Sequence, residues 1–231
     1  MDFRDRQIVI TGGGGALGRA VVEALLAAGA TCHVPCRDLG EAQRFPLREH
    51  QRVALRVTGT LAEEAAVTRL YAGIAPLWAS IHLAGGFAAG PLRDTTAATL
   101  RQQLDMNVVT AFLCCRAAAN AMAARGGRIV NVAARPALEW RSGAGMTAYT
   151  ASKAAVAALT VALAEEVSRD GILVNAVAPS ILDTPANRRA MPTADYNLWP
   201  KVEEVAATIL FLASPENRVT RGAVVPVYGR S

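Results

Sequence analysis

The chain has 231 residues, 52% hydrophobic and 19% charged, which excludes a disordered chain or a disulfide-stapled miniprotein and fits one domain with a continuous core. Its formal net charge of +5 comes from scattered arginines (Arg4, Arg6, Arg37, Arg69, Arg101, Arg169 and Arg221 among them). No basic run interleaves with aromatics, so no nucleic-acid partner is expected. Cys32, Cys36, Cys114 and Cys115 lack the C-x-x-C spacing and histidine neighbours of a metal site, and His33, His50 and His82 stand singly; reduced, buried thiols and no metal are expected. Residues 1–6 lack an apolar signal core and no stretch reads as long enough to span a bilayer, so a cytoplasmic protein with no membrane partner is expected.

In chain order, residues 7–10 read as a buried strand that stops at Thr11-Gly12-Gly13-Gly14-Gly15-Ala16-Leu17-Gly18. An amphipathic helix follows, with Leu17, Val21, Val22, Leu25 and Leu26 at helical spacing and Gly29 ending it. Further strands are predicted at 31–35, 53–57 and 78–83, with a polar loop after the second and a helix over 62–71 before the fourth. The fourth strand ends in Ala84-Gly85-Gly86. A long helix over 100–123, a strand at 128–132, a helix over 147–167, a strand at 172–176, a helix over 202–212 and a closing strand at 223–228 complete the pattern.

Short, apolar, β-branched strands alternating with longer amphipathic helices mark a parallel sheet covered on both faces. The fold class is therefore α/β, a doubly wound, three-layer αβα sheet of the Rossmann kind in a single domain. In such sheets ligands lie outside the carboxyl ends of the strands. The glycine run sits at the first such end and opens a helix, where backbone amides and the helix dipole favour phosphate. Tyr149 and Lys153 lie one helical turn apart, and Lys153 is one of only two lysines in an arginine-rich chain. A lysine ammonium is a compact charge that can lower a phenol's pKa, so the pair reads as a proton-donating tyrosine and its helper.

Thr11-Gly12-x-x-x-Ala16-x-Gly18, Ala84-Gly85, Asn107 and Tyr149-x-x-x-Lys153 occur in one order over one domain, and together they resemble the short-chain dehydrogenase/reductase family. The resemblance implies Tyr149 as general acid/base, Lys153 as the residue that tunes it and holds the nicotinamide ribose, and Asn107 as the holder of a relay water. It implies that Gly12, Gly14, Leu17 and Gly18 line the pyrophosphate and adenosine ribose. Ala84, Gly85 and Gly86 would lie beside the nicotinamide ribose, and Leu182 and Thr184, after Pro179, would meet the carboxamide. Ser180 replaces the family's usual glycine. A homodimer or homotetramer and a small-molecule substrate are also implied.

Where members preferring NAD place a carboxylate after the second strand, this chain has Cys36 and then Arg37, which suits a 2′-phosphate. NADP(H) is therefore favoured; Asp38 keeps NAD(H) possible. Arg56 stands where many relatives place an adenine-binding aspartate. The family's substrate-binding serine is missing from Asn131-Val132-Ala133-Ala134-Arg135-Pro136. Ser142 and Thr147 are the nearby hydroxyls, each also readable as a loop or helix-cap residue. Serine-free Ala133-Ala134-Arg135, Ala84 to Gly90, and Leu182 through Trp199 look like the dihydropteridine reductase branch, whose members reduce a quinonoid pterin. A conjugated acceptor is the leading expectation. A ketone/alcohol reductase with a water or other donor, and a non-catalytic dinucleotide sensor, are the alternatives. Residues 185–200 would cover the substrate, with Trp140, Met191, Tyr196 and Trp199 either stacking on a flat ring or packing a lid or subunit contact.

Overall fold

The computed structural model describes residues Met1–Ser231. Seven parallel strands, β1 (Gln7–Thr11), β2 (Thr31–Cys36), β3 (Val53–Val57), β4 (Leu77–His82), β5 (Gly127–Val132), β6 (Ile172–Pro179) and β7 (Val224–Val227), lie in the order β3-β2-β1-β4-β5-β6-β7. The connections reverse direction between β1 and β4, where Thr11 and His82 are register partners. A crevice opens outside the carboxyl ends at such a reversal, because the following loops turn away from each other.

Side-chain alternation along the strands divides the core. Ile8 and Ile10 of β1 face α1 (Ala16–Ala27), and α9 (Val202–Ala213) packs on the same side through Val205, Ile209 and Leu212. Val9 faces the other way, into the layer of α3 (Glu64–Tyr71), α5 (Thr110–Met122) and α7 (Thr147–Glu166), with Leu70, Cys115, Met122 and Ala164. All four cysteines are free and buried.

The predicted strands and principal helices form with end shifts of a few residues, but the expected 100–123 helix does not run unbroken. It is α4 (Ala97–Leu104), then a π-turn over Asp105–Val109, then α5. The predicted polar loop after β2 contains α2 (Leu39–Arg44), whose N-cap Asp38 accepts from the Glu41 amide at 2.8 Å. Two further short helices, α6 (Arg135–Leu138) and α8 (Pro185–Ala190), are additions to the predicted pattern.

The expectation that no stretch reaches bilayer-spanning length and apolarity is corrected by α7, whose 20 residues are long and apolar enough by length and composition alone. Its apolar residues serve packing on the sheet, Ala157 and Ala164 meeting residues of β5 and β6, and the helix also buries the polar Ser152, Lys153 and Thr160.

Candidate active site

The glycine loop folds as close packing requires. Gly12 has φ of +68°, and a Cβ there would lie 2.6 Å from the Ala84 amide nitrogen. A side chain on Gly18 would run into the Gly12 carbonyl, so α1 presses directly on the loop. Gly15 caps α1 without a side chain, leaving the first helical amides open toward the crevice. A cleft of about 500 Å³ runs from this loop past the end of β2, lined by Gly12, Gly15, Arg37, Glu41, Ala84 and Gly85 with Leu61 and Met106. Of the expected cofactor residues, Gly12, Arg37, Ala84 and Gly85 line this cleft, while Gly14, Leu17, Gly18, Gly86, Tyr149, Lys153, Pro179, Leu182 and Thr184 stand outside its lining. The glycine-lined space and open amides fit a dinucleotide, its pyrophosphate at the α1 terminus.

Gly85, in the cleft lining, stands next to the lysine of the tyrosine–lysine pair. A Cβ on Gly85 would lie 2.5 Å from Asn107 Oδ1 and 3.5 Å from Lys153 Nζ, so all three converge. Asn107, 2% exposed, sits in the π-turn, a distortion that often marks a functional residue. Its Oδ1 accepts from the Gly86 amide at 2.9 Å, and its Nδ2 donates to the Gly86 carbonyl and to Ser152 Oγ, both at 3.0 Å. Ser152 donates in turn to the Tyr149 carbonyl at 2.7 Å. Asn107 thus ties the β4 loop to the first turns of α7.

The expectation that Lys153 lowers the Tyr149 pKa is not met. Burial pushes the Tyr149 phenol up to about 12 and the Lys153 ammonium down to about 8, because burial penalises each charged form. Lys153 Nζ donates instead to the Val132 carbonyl at 2.8 Å, pinning α7 to the end of β5. Tyr149 consequently holds its proton at neutral pH. Phe87 meets its ring edge-on at 4.9 Å between centroids.

No hydroxyl lines the loop after β5. Ala133 and Ala134 are 1% and 5% exposed, and Ala133 packs with Ala137, Ala157 and Ala178. Ser142 Oγ donates to the Glu139 carbonyl. Thr147 is the first residue of α7, and the preceding position is Met146, so the cap expected of Thr147 does not form. Thr184 is the N-cap of α8, accepting from the Asn187 amide at 3.2 Å, and the Leu182 carbonyl accepts from Asn187 Nδ2 at 2.8 Å. Ser180 keeps an ordinary backbone, and its hydroxyl donates to the Tyr228 carbonyl, holding the C-terminal tail.

Several residues take roles other than those expected. Asp38 is committed to capping α2. Arg56 points away from the expected adenine end and donates to the Ala72 carbonyl at 2.8 Å. Tyr196 and Trp199 pack on each other at 5.0 Å, with Trp199 buried, so they brace the 185–200 segment. Trp140 is 74% exposed, its indole donating to the Ala137 carbonyl. Glu41, Phe87 and Ser152 were not singled out by the motifs. Only Glu41 carried a local signal, the Asp38-x-x-Glu41 spacing of a helix start.

Beneath the site a buried hydrogen-bond chain crosses the sheet. Thr160 Oγ1 donates to the Val156 carbonyl and accepts from Asn131 Nδ2, so Asn131 Oδ1 accepts from His82 Nδ1 at 2.8 Å. His82 is then the neutral Nδ1–H tautomer, its Nε2 accepting from Ser80, which accepts from Tyr71 at 2.7 Å. Burial lowers the His82 pKa to about 4, consistent with that neutral form.

A parallel sheet with a glycine loop opening a helix at its switch point, and a tyrosine–lysine pair whose lysine lies beside Gly85 of the same cleft, fits a dinucleotide-dependent oxidoreductase class. Comparison narrows it: the sequence profile described as short chain dehydrogenase matches residues 6–195. The chain belongs to the short-chain dehydrogenase family and is an NAD(P)-dependent oxidoreductase. It is 37% identical over 236 residues to a galactitol 2-dehydrogenase of Rhizobium johnstonii, covering 95% of this chain and 92% of that one. A 2,3-dihydroxy-2,3-dihydro-p-cumate dehydrogenase of Pseudomonas putida is 31% identical over 246 residues, covering 96% and 93%. A short-chain type dehydrogenase/reductase structure from Mycobacterium ulcerans superposes with a TM-score of 0.88 at 26% identity, covering 100% of this chain and 90% of that one. These relatives are other dehydrogenases of the family; a dihydropteridine reductase is not among them.

Proposed function

We propose that the protein is an NAD(P)H-dependent reductase of a small molecule whose carbonyl, imine or quinonoid group is conjugated, with Tyr149 as proton donor. The observation that carries this reading is a half-buried, protonated Tyr149, one helical turn from Lys153 and linked to Asn107 through Ser152, in a site whose loop after β5 has alanines at 133 and 134. A conjugated acceptor spreads developing charge over its own framework, so it depends less on a second positioned donor. A quinonoid dihydropterin is one member of that class.

Gly12, Gly14, Leu17 and Gly18 with the α1 terminus would hold the pyrophosphate, Arg37 the adenosine end, and Ala84, Gly85, Gly86 and Lys153 the nicotinamide ribose. Pro179, Leu182 and Thr184 would flank the carboxamide. A nicotinamide bound there supplies the hydride. Arg37 favours NADP(H), with NAD(H) also accepted. Lys153 supplies positive charge from a fixed perch on the Val132 carbonyl, and Asn107 sets the spacing between Gly86 and Tyr149 through Ser152.

A second reading draws on the relatives: oxidation of a polyol or dihydrodiol, with Tyr149 taking the alcohol proton. The 185–200 segment would cover either substrate. Exposed apolar side chains on α5 and α7, Phe112 and Val161, suit a homodimer or homotetramer, and four free thiols suit a reducing cytoplasm. The test is turnover with NADPH and NADH on quinonoid, imine and enone acceptors, simple ketones, and, with the oxidised cofactors, polyols and dihydrodiols. Conjugated acceptors turning over at least about tenfold faster than simple ketones support the first reading. Preferred oxidation of a polyol or dihydrodiol supports the second, and tight cofactor binding without turnover on any of them defeats both in favour of a sensor.

A further inference from the structure

At the adenosine end of the cleft, the carboxylate comes from one helical turn beyond the end of β2. Glu41, on α2, lines the cleft together with Arg37, Gly12 and Gly15. Its Oε2 accepts from the Arg37 backbone amide at 2.8 Å and from Arg37 Nε at 3.4 Å. Its Oε1 makes no hydrogen bond and faces the glycine loop, 3.7 Å from where a Cβ on Gly14 would stand. Asp38, the other carboxylate here, gives its Oδ1 to the Glu41 amide and stands outside the cleft lining. The Arg37 side chain is 77% exposed and is steered toward Glu41. Charge from Glu41 and Asp38 reaches the end of β2, where, after burial itself, it helps push the Cys36 thiol up to about 11.

We infer that Glu41 is a cofactor-selecting residue: its free oxygen accepts from an adenosine ribose hydroxyl, and its charge opposes a 2′-phosphate that Arg37 would otherwise attract. Arg37 alone would select NADPH. Glu41 offsets that selection by neutralising Arg37 and by offering NADH the acceptor its unphosphorylated ribose needs, so the protein uses both dinucleotides. The inference rests on the reading of the cleft as a dinucleotide site. It assigns the carboxylate function that Cys36 cannot perform to a helix position five residues later.

The test is titration of NADPH and NADH, followed by cofactor fluorescence at low ionic strength, into wild type, Glu41→Gln and Arg37→Ala. Glutamine keeps an acceptor for the Arg37 amide, and Asp38 still caps α2 through the backbone amide of residue 41. Glu41→Gln is expected to raise the NADPH-to-NADH affinity ratio by about tenfold, the scale of one hydrogen bond to a charged group. Arg37→Ala is expected to lower the same ratio, which shows that the two side chains pull in opposite directions. An unchanged ratio in Glu41→Gln, with both dinucleotides still bound, overturns the inference and leaves the cleft reading standing. Failure of wild type to bind either dinucleotide overturns both.

Discussion

Adding one methyl group at Gly85 is expected to damage the site more than its size suggests. A Cβ there would lie 2.5 Å from Asn107 Oδ1 and 3.7 Å from Asn107 Cγ, so the amide must retreat by several tenths of an ångström. That amide is buried and held by Gly86 at both ends and by Ser152, so retreat breaks at least one of these bonds. Overpacking of this kind costs about 1–3 kcal/mol, and a buried polar group left unpaired costs about 1–3 kcal/mol more. Gly85→Ala is therefore expected to lose roughly 2–6 kcal/mol in urea unfolding, read from the midpoint at constant slope. Cofactor affinity should fall with it, because Lys153 Nζ stands 3.5 Å from the added carbon. Gly90→Ala, whose Cβ would meet only Thr95 Oγ1 at 3.7 Å, is the control and should stay within about 0.5 kcal/mol. A Gly85→Ala protein with wild-type stability and cofactor affinity would refute the convergence of Gly85, Asn107 and Lys153.

Two further predictions follow from protonation. His82 has a folded pKa of about 4 against an ordinary 6.5, so the unfolded chain binds a proton that the folded one refuses. Stability should fall as pH drops from 6.5 to 4, by roughly 3 kcal/mol from this group alone. His33, also lowered to about 4 by burial, adds to the wild-type slope, so the difference between wild type and His82→Asn across pH-dependent urea melts isolates His82; identical slopes would sink the buried-neutral assignment. Lys153 is lowered from 10.5 to about 8, so burying its charge costs stability in full below pH 8, and that cost disappears as pH rises toward 10.5. Wild type should gain stability over that window relative to Lys153→Met while its NAD(P)H affinity weakens as the ammonium discharges. Calorimetric titration at several pH values checks this, and an affinity flat from pH 7 to 10 would count against a charged Lys153 at the ribose.

The sheet was legible because buried parallel strands are continuous apolar runs, and β1, β4 and β6 announce themselves that way. Tyr149 and Lys153 were legible because four-residue spacing on a helix fixes a shared face. Thr184 followed by Pro185 is a helix-start signal that the expected carboxamide role overlooked, and its hydroxyl caps α8. The π-turn at Asn107 was not readable. The local sequence Asp105-Met106-Asn107-Val108-Val109 holds no Gly or Pro to mark a break, and the distortion goes with contacts to Gly86 and Ser152, distant in sequence. The electrostatics of Tyr149 were misjudged for a related reason, since spacing shows that a lysine is near and does not show that a backbone carbonyl has claimed it. Phe87 was hidden in a glycine- and alanine-rich loop, and its contact with Tyr149 comes from the meeting of the β4 loop with α7.

The most direct test of the central claim is single-turnover reduction of a conjugated acceptor by cofactor-loaded protein, comparing wild type with Tyr149→Phe. Phenylalanine keeps the ring against Phe87 and removes only the hydroxyl, and cofactor binding, measured separately, should stay within about threefold because Lys153 and the glycine loop are untouched. The account predicts that turnover falls by about a hundredfold or more, the usual contribution of a positioned general acid. Reduction at the wild-type rate by a Tyr149→Phe protein with bound cofactor would contradict it.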